Sequence, residues 1–528
     1  MRIGIDLDNT IIDYAALLHS IATERGWLDE RTPASKSAVR KSLVEADGND
    51  WRWQRLQADA YGTHVARATV FEGAFEFVDA ARRCGHEICI LSHKTRTSQL
   101  DPSIELRPGA LARLEEAGFL GPDRVPREAV YFFDTRDEKV RAVGALGCDW
   151  IVDDLLEVLE HPELAEPVAR IWFTQGERID GPPAMVSCAR WDEIGVLLAL
   201  TDELGVSPSP ALRRALGSSP RDVEPMLDGG NARLRRVRDA DGGCRVVKAY
   251  ARDGRDRARR EHDALRWMRG AGVDEVPSAL FVDEATEVAV LQHLEGSRPG
   301  PGADVDSLVE RCADFVLRLA ALGRTAPPGS FGLAADARIR LGDYARAVER
   351  RLTRVVQGSR ANPAARALVS NEVEPIARTA LSSFAHAVKT LGLDPERALP
   401  DRERVPSPSD FGLHNVLLDK HNRVWFLDFE YFGWDDPAKL MADFLHTMAH
   451  DVEPAKRSRF VELVVAGLPE GLAAASRLEA INHLVGVEWI LIVLNVLDPA
   501  AHSKGTGALL ERRLARASRM VRHSHDRL

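Results

Sequence analysis

The stretch SPSDFGLHNVLLDKHNRVWFLDFEYFGWDDP, residues 407–437, restricts what this chain can fold into more than any other. Asp410 and Asn415 sit five apart in a loop, the apolar run VWFLDF reads as a buried strand, and Asp428 closes that run. Three groups able to handle a proton or a metal therefore meet on one strand-turn-strand unit. Phosphoryl transfer from a nucleotide asks the protein for a base that orients the attacking hydroxyl and for oxygens that hold magnesium against the phosphates. Asp410 is the residue type for the base, and Asn415 and Asp428 are the types for the magnesium ligands. The plain alternative is a polar hairpin with ordinary turn Asp and Asn residues, so the test lies upstream.

There, MLDGGNARLRRVRDADGGCRVVKAYARD gives two strand-like runs joined by an Asp-Gly-Gly turn around residues 241–243. Gly229, Gly230 and Asn231 before them form a loop able to cover phosphates, a weak signal by itself. Lys248 ends the run CRVVKAY, and Glu261 opens REHDALRWM with Ala264, Leu265 and Met268 on the same helical face. A carboxylate there can pair with Lys248 and hold it against a nucleotide's phosphates; Asp263 is the competing partner. EVAVLQHLEG then reads as a strand leading into a hinge, where backbone groups from Gln292 to Leu294 can meet a purine edge. Residues 304–390 and those beyond 436 read as helical.

These positions resemble the aminoglycoside phosphotransferase and choline kinase-like branch of the protein-kinase-like fold. The resemblance implies a two-lobed α+β domain, with residues 222–298 as the N-lobe and 299–528 as a helical C-lobe, that uses ATP or GTP and Mg2+ to phosphorylate a small alcohol. Lys248, Glu261, Asp410, Asn415 and Asp428 take the family's roles. One departure stands out: the family's loop begins His-Gly-Asp, whereas Pro408 and Ser409 precede Asp410 here, so the brace the family's histidine gives the loop is expected to be missing.

The first third of the chain carries a different pattern. Residues 2–7 are a β-rich apolar run ending in Asp6 and Asp8, with Asn9 and Thr10 turning toward a helix. Carboxylates at the end of a first strand lie where open α/β sheets place ligands. Asp6 can attack phosphorus while Asp8, two residues on, acts as acid and base. HEICILSH is a second strand ending near Ser92, a hydroxyl donor for a phosphoryl oxygen. VYFFDTRDEKVRAVGALG gives a third strand and a helix carrying Lys139, and CDWIVDD a fourth ending in Asp153 and Asp154, placed to complete a magnesium site with Asp6.

The four motifs Asp6/Asp8/Thr10, Ser92, Lys139 and Asp153/Asp154 resemble those of the haloacid dehalogenase-like phosphohydrolase superfamily, over residues 1–200. That implies a Rossmann-like α/β domain, an aspartyl-phosphate intermediate on Asp6 and the carbonyl of Asp8 as a further metal ligand. The long polar helical stretch at about residues 13–70, with Trp51, Trp53 and Tyr61, looks like the superfamily's helical cap. WQRLQADAYG and SHKTRT look like a subgroup tied to surface-polysaccharide and sugar modification. His93, Lys94 and Arg96 there either meet a sugar phosphate or form a solvated basic turn.

Between the two patterns, residues 201–221 turn rich in Ser, Pro and Gly and read as a linker. The length of 528 residues is too great for one core. A net charge of -10 speaks against nucleic-acid or anionic-membrane partners. The six cysteines form no CxxC pair and read as reduced thiols of a cytoplasmic protein, and no signal peptide is read at the N-terminus. LVGVEWILIVLNVL, residues 484–497, reads as a buried helix. The expected function is a bifunctional magnesium-dependent phosphatase and nucleotide-dependent kinase acting on a sugar or other small phosphorylated molecule. The alternatives are a phosphatase governed by a non-catalytic metabolite-binding kinase-like domain, and an enzyme pair that processes polynucleotide ends. Oligomeric state is left open.

Overall fold

Apolar runs that end in acidic residues become the central strands of a parallel sheet. The computed structural model describes all residues except 30, 180, 227–230, 328, 448–451, 499–506 and 526–528. The chain divides into two compact units, Met1–Ala249 and Tyr250–Leu528.

In the first unit six strands, β1 (Arg2–Ile5), β2 (Glu87–His93), β3 (Val130–Phe133), β4 (Trp150–Asp153), β5 (Ala169–Phe173) and β6 (Val186–Cys188), pair in the order β3-β2-β1-β4-β5-β6. Every pairing is parallel. Ile3, Ile5, Ile88, Ile90, Leu91, Ile151, Val152 and Ile171 are all buried, because helices cover both faces of such a sheet and its strands have no wet side. The order reverses between β1 and β4, so a crevice opens beyond their C-terminal ends. Asp6 lies just past β1, its N–H donating to the Val152 carbonyl.

The insertion after β1 is helical. Ala15–Glu24, Lys36–Asp47 and Trp51–Ala58 are α-helices, followed by a π-turn at Asp59–Thr63. Its entry and exit strands, Ile12–Asp13 and Thr69–Val70, pair antiparallel. Buried Asp59 ties the insertion together by ion pairs to Arg25 at 2.5 Å and Arg55 at 3.3 Å.

The stretch read as a linker is packed structure instead. The helix Trp191–Leu204 runs into it, Pro210–Ala215 is helical, and a strand begins at Pro220. Leu212 and Leu216 are buried, and buried Glu193 holds Arg213 at 2.6 Å and the Ser219 hydroxyl at 3.2 Å. Ser and Pro there serve as a helix cap and a first-turn residue, Ser209 accepting from the Leu212 N–H. The strand Pro220–Pro225 pairs antiparallel with Ala232–Asp239 and packs on the helix Trp191–Leu204. Accordingly the first unit extends past residue 221, through most of the strand Cys244–Tyr250.

The second unit is mainly helical. It contains the helix Arg257–Gly270, the hairpin Ala279–Asp283 with Val288–Gln292, and the helices Val305–Gly323, Leu341–Ser359, Glu374–Thr390, Pro437–His446, Pro454–Gly467 and Gly471–Val493. Two short antiparallel pairs, Val405–Ser407 with Gly433–Asp435 and Val416–Leu418 with Val424–Phe426, carry residues 407–437. Phe315, Phe411, Phe426 and Phe429 pack their rings beneath them. The late apolar stretch belongs to a longer helical segment, Gly471–Leu497, which by length and composition can cross a membrane, yet 67% of its apolar window is buried within the protein. Glu488 on it is buried and paired with Arg338 and Arg351, as in a core helix.

Candidate functional sites

At the end of β1 and β4, ligand oxygens of Asp6, Asp153 and Asp154 all lie within 4.8 Å of one another. Two of the three carboxylates share one cation. Lys139 Nζ reaches Asp6 Oδ1 at 2.5 Å and Asp153 Oδ2 at 2.6 Å, and the lysine is 1% exposed. Local sequence explains its aim: Thr135 and Glu138 form a capping box that starts the helix Arg136–Ala145. Lys139 thus falls in its first turn, facing β1 and β4.

Burial raises the Asp6 carboxyl well above its usual range against the pull of Lys139. Burial and the neighbouring Asp153 push Asp154 up to about 7. Clustered carboxylates left without enough positive charge behave this way. The donor set fits magnesium: it is all oxygen, as hard cations prefer, and among the described residues no donor meets Asp154 Oδ1, a buried atom. Gln175 Nε2 fixes the other Asp154 oxygen at 3.0 Å.

Asp8 points to a second set of groups. Ser92 Oγ donates to Asp8 Oδ2 at 3.4 Å, and Lys94 Nζ lies 3.0 Å from Asp8 Oδ1. Lys94 is 4% exposed and sits 4.7 Å from the centre of the Tyr61 ring, so it is no solvated turn residue; His93 and Arg96 are exposed. Thr10 is buried behind the acids, its carbonyl accepting from Trp191 Nε1. Asn9, between Asp8 and Thr10, has φ 64°, the left-handed conformation that turns the chain back under the site. A cavity of about 500 Å³ opens over the cluster, walled on one side by Asp6, Asp8, Lys139 and Asp154 and on the other by residues of the helical insertion, including Lys36, Arg40, Gln54 and Tyr61.

In the second unit Asp410 is half-exposed, and His414 Nε2 lies 3.0 Å from its Oδ1. An ionised carboxylate only accepts, so the imidazole donates. This contact was missed in the sequence, where a brace was sought before Asp410 and found replaced by Pro408 and Ser409. The brace comes from four residues after it. Asn415 Nδ2 donates to the Asp410 carbonyl at 3.0 Å, which turns the amide oxygen the other way, and the Leu427 N–H donates to the Asn415 carbonyl at 2.9 Å. Asp410, Asn415 and the start of the Asp428 turn are thereby tied together. Ser409 at φ 65° and Asp428 at φ 68° both adopt the left-handed conformation beside the acids.

The helix Arg257–Gly270 grips that turn. Glu261 Oε1 accepts from the Phe429 N–H at 3.2 Å, Arg257 pairs with Glu430 at 2.5 Å, and Arg260 donates to the Phe432 carbonyl at 2.8 Å. Glu261 is buried, and its other oxygen accepts from Tyr250 at 2.5 Å; Asp263 is exposed and pairs with Arg259 and His262. Lys248 is buried in the strand Cys244–Tyr250, within the first unit. The Gln292 N–H and side-chain oxygen are both engaged with Ser278, and Leu294 follows the strand end, half-buried. Asn231 is exposed; Gly229 and Gly230 lie outside the described residues.

Residues 222–475 match the family described as "Phosphotransferase enzyme family". No curated protein matches the chain. Among solved structures it is similar to spectinomycin phosphotransferase APH(9)-Ia in complex with ADP and spectinomycin, at 11% identity and TM-score 0.43 over 63% of this chain and 98% of that one. It is also similar to choline kinase LicA from Streptococcus pneumoniae, at 14% identity and TM-score 0.38 over 63% and 99%. ADP-bound aminoglycoside phosphotransferase APH(2'')-Ib matches at 13% identity and TM-score 0.39 over 57% and 93%.

Proposed function

We propose, residues 222–475 matching the phosphotransferase enzyme family, that this stretch is a kinase-like small-molecule phosphotransferase domain and that the chain joins two opposed chemistries. The C-terminal domain transfers a nucleotide's terminal phosphoryl group to a small alcohol, and the N-terminal domain removes phosphate from a monoester. The observation that carries the second half is the cluster of Asp6, Asp153 and Asp154 bridged by Lys139 at the reversal of strand order.

In the phosphatase reading, an Asp6 oxygen attacks phosphorus and the bond to the leaving alcohol breaks. Asp8 gives that alcohol its proton, then takes one from the water that hydrolyses the aspartyl phosphate. Lys139 offsets charge on the phosphoryl oxygens and Ser92 donates a hydrogen bond to one of them. Asp6, Asp153, Asp154 and the Asp8 carbonyl would hold Mg2+, which when bound supplies further charge neutralisation.

In the kinase reading, Asp410 accepts the proton of the acceptor hydroxyl as its oxygen takes the phosphoryl group and the nucleoside diphosphate leaves. His414 occupies one carboxylate oxygen, which leaves the other to meet that proton. Asn415 and Asp428 would offer oxygens to magnesium, and the sequence resemblance gives Lys248, Glu261 and the run Gly229, Gly230 and Asn231 to the phosphates of ATP or GTP. Leu294 and its neighbours meet the base. A sugar as the shared substrate class rests on the segments WQRLQADAYG and SHKTRT.

The full chain tests this with a panel of phosphomonoesters assayed for phosphate release and a panel of polyols, amino alcohols and aminoglycosides assayed for nucleotide consumption. Turnover in both panels is expected. Phosphate release from no ester under any divalent cation would reduce the chain to its kinase half.

A further inference from the structure

The acidic wall of the 500 Å³ cavity neutralises its own cations: Lys139 is committed to Asp6 and Asp153, and Lys94 to Asp8. The opposite wall does not. Lys36 and Arg40 lie one turn apart on the helix Lys36–Asp47, a spacing that places both on one face. Both line the cavity, and among the described residues neither has a carboxylate within 4.0 Å. Gln54 and Gln57, three apart on the helix Trp51–Ala58, bring two amides to the same wall, and the π-turn brings the Tyr61 phenol. Asp50 is the acid that accompanies them.

Burial by itself would lower the Lys36 ammonium, yet the field of Tyr61, Asp154, Asp8 and Asp6 raises it. Lys36 is therefore charged, half-buried and held at a distance from the acids that favour it. Arg40, one turn on, is exposed, and a part-buried cation with no carboxylate in ion-pair contact is stabilised by an anion placed against it. The cavity's volume is in the range of about 300–1,000 Å³ that takes a small organic molecule rather than a lone ion.

We infer that Lys36 and Arg40 form a second anion subsite, so that the monoester cleaved at Asp6 carries another phosphate or a carboxylate at its far end. Gln54, Gln57 and Tyr61 meet the hydroxyls between the two anions. This rests on the phosphatase reading for the cleaved end, while the subsite itself is a matter of binding.

Two measurements on the full chain separate the two ideas. Phosphate release is compared for a hexose bisphosphate, a phosphorylated sugar acid, the matching hexose monophosphate and p-nitrophenyl phosphate, with wild type, Lys36→Gln, Arg40→Gln and the charge-retaining Lys36→Arg. Calorimetric binding of the same sugar phosphates is measured with Asp6→Asn as background. The expected result is a preference in kcat/KM and in affinity of roughly tenfold to a hundredfold for a doubly anionic sugar over the monophosphate, the range a charge-assisted hydrogen bond supplies. Lys36→Gln and Arg40→Gln lower that ratio and Lys36→Arg restores it. The bisphosphate and the sugar acid tell which second anion is preferred. Lys36-dependent binding without turnover upholds the subsite and removes the phosphatase reading. Turnover with a ratio near one in wild type, or a ratio the variants leave unchanged, overturns the subsite.

Discussion

The two acidic centres of this chain are built in opposite ways. Asp6, Asp153 and Lys139 are nearly or fully buried around the ends of parallel strands, and there one lysine bridges two carboxylates. Asp410 is half-exposed on a loop between three-residue strands and is held by one imidazole and by the Asn415 amide on its own carbonyl. The first centre owes its geometry to a rigid sheet, the second to hydrogen bonds made within a few residues. Yet both place left-handed residues beside the acids. Of the seven non-glycine residues with positive φ among those described, Asn9 and Gln175 adjoin the first centre and Ser409 and Asp428 the second. Held strain of this kind costs about 1–3 kcal/mol per residue and persists where surrounding structure over-determines it.

Removing one charge should therefore affect the two centres differently. The largest effect is expected from Asp410→Asn, which should lower nucleotide-dependent phosphorylation about 10²- to 10⁴-fold with little change in unfolding, as measured by steady-state kinetics and thermal melting. Lys139→Met should instead act on the fold. It leaves Asp6 and Asp153 buried without their cation and should cost the first unit about 3–5 kcal/mol, read by denaturant unfolding without added divalent cation. Equal stability of variant and wild type would break the contrast.

His414→Ala should lower the kcat of phosphorylation by roughly tenfold, about the worth of one charge-assisted hydrogen bond, while the KM for nucleotide stays put and His414→Gln recovers part of the loss. A change confined to KM would move His414 from positioning the base to binding the nucleotide.

The smallest expected effect concerns Asp435, which burial, opposed by Lys439, pushes up to about 6 from 3.8. The folded state then holds this proton more tightly than the unfolded chain, so stability rises as pH falls through that interval. Between about pH 7 and about pH 5 the gain from this group is about 1 kcal/mol, and Asp435→Asn should flatten the melting-temperature profile accordingly. A profile as steep as that of wild type would contradict it.

The strand-end motifs were legible in the sequence because strands buried on both faces read as unbroken apolar runs, and each run here ends in a chemically distinctive residue. The helix carrying Lys139 was also read there, and the structure adds the capping box at Thr135 and Glu138 that fixes where Lys139 falls. The matched phosphotransferase domain was legible from Lys248, Glu261, Asp410, Asn415 and Asp428 together. Three things were not. Residues 201–221 signal turns through Ser and Pro, but composition does not reveal that Leu212 and Leu216 are buried or that Glu193 and Arg213 pair there. His414 was hidden because the family's histidine precedes the Asp and its absence there reads as a missing brace, whereas a short helical turn at Leu413–Asn415 brings an imidazole back from the other side. The far wall of the cavity was hidden because a long polar helical stretch does not show which of its side chains, among them Lys36, Arg40, Gln54 and Gln57, line a cavity with the carboxylates.

The central claim, that two separate chemistries share this chain, is tested most directly by crossing one inactivating change at each centre with both assays. With Asp6→Asn and Asp410→Asn each measured for phosphate release and for nucleotide-dependent phosphorylation, the account predicts that Asp6→Asn abolishes only release and that Asp410→Asn lowers only phosphorylation, by about 10²- to 10⁴-fold. Loss of both activities in either variant, or release that survives Asp6→Asn, would contradict it.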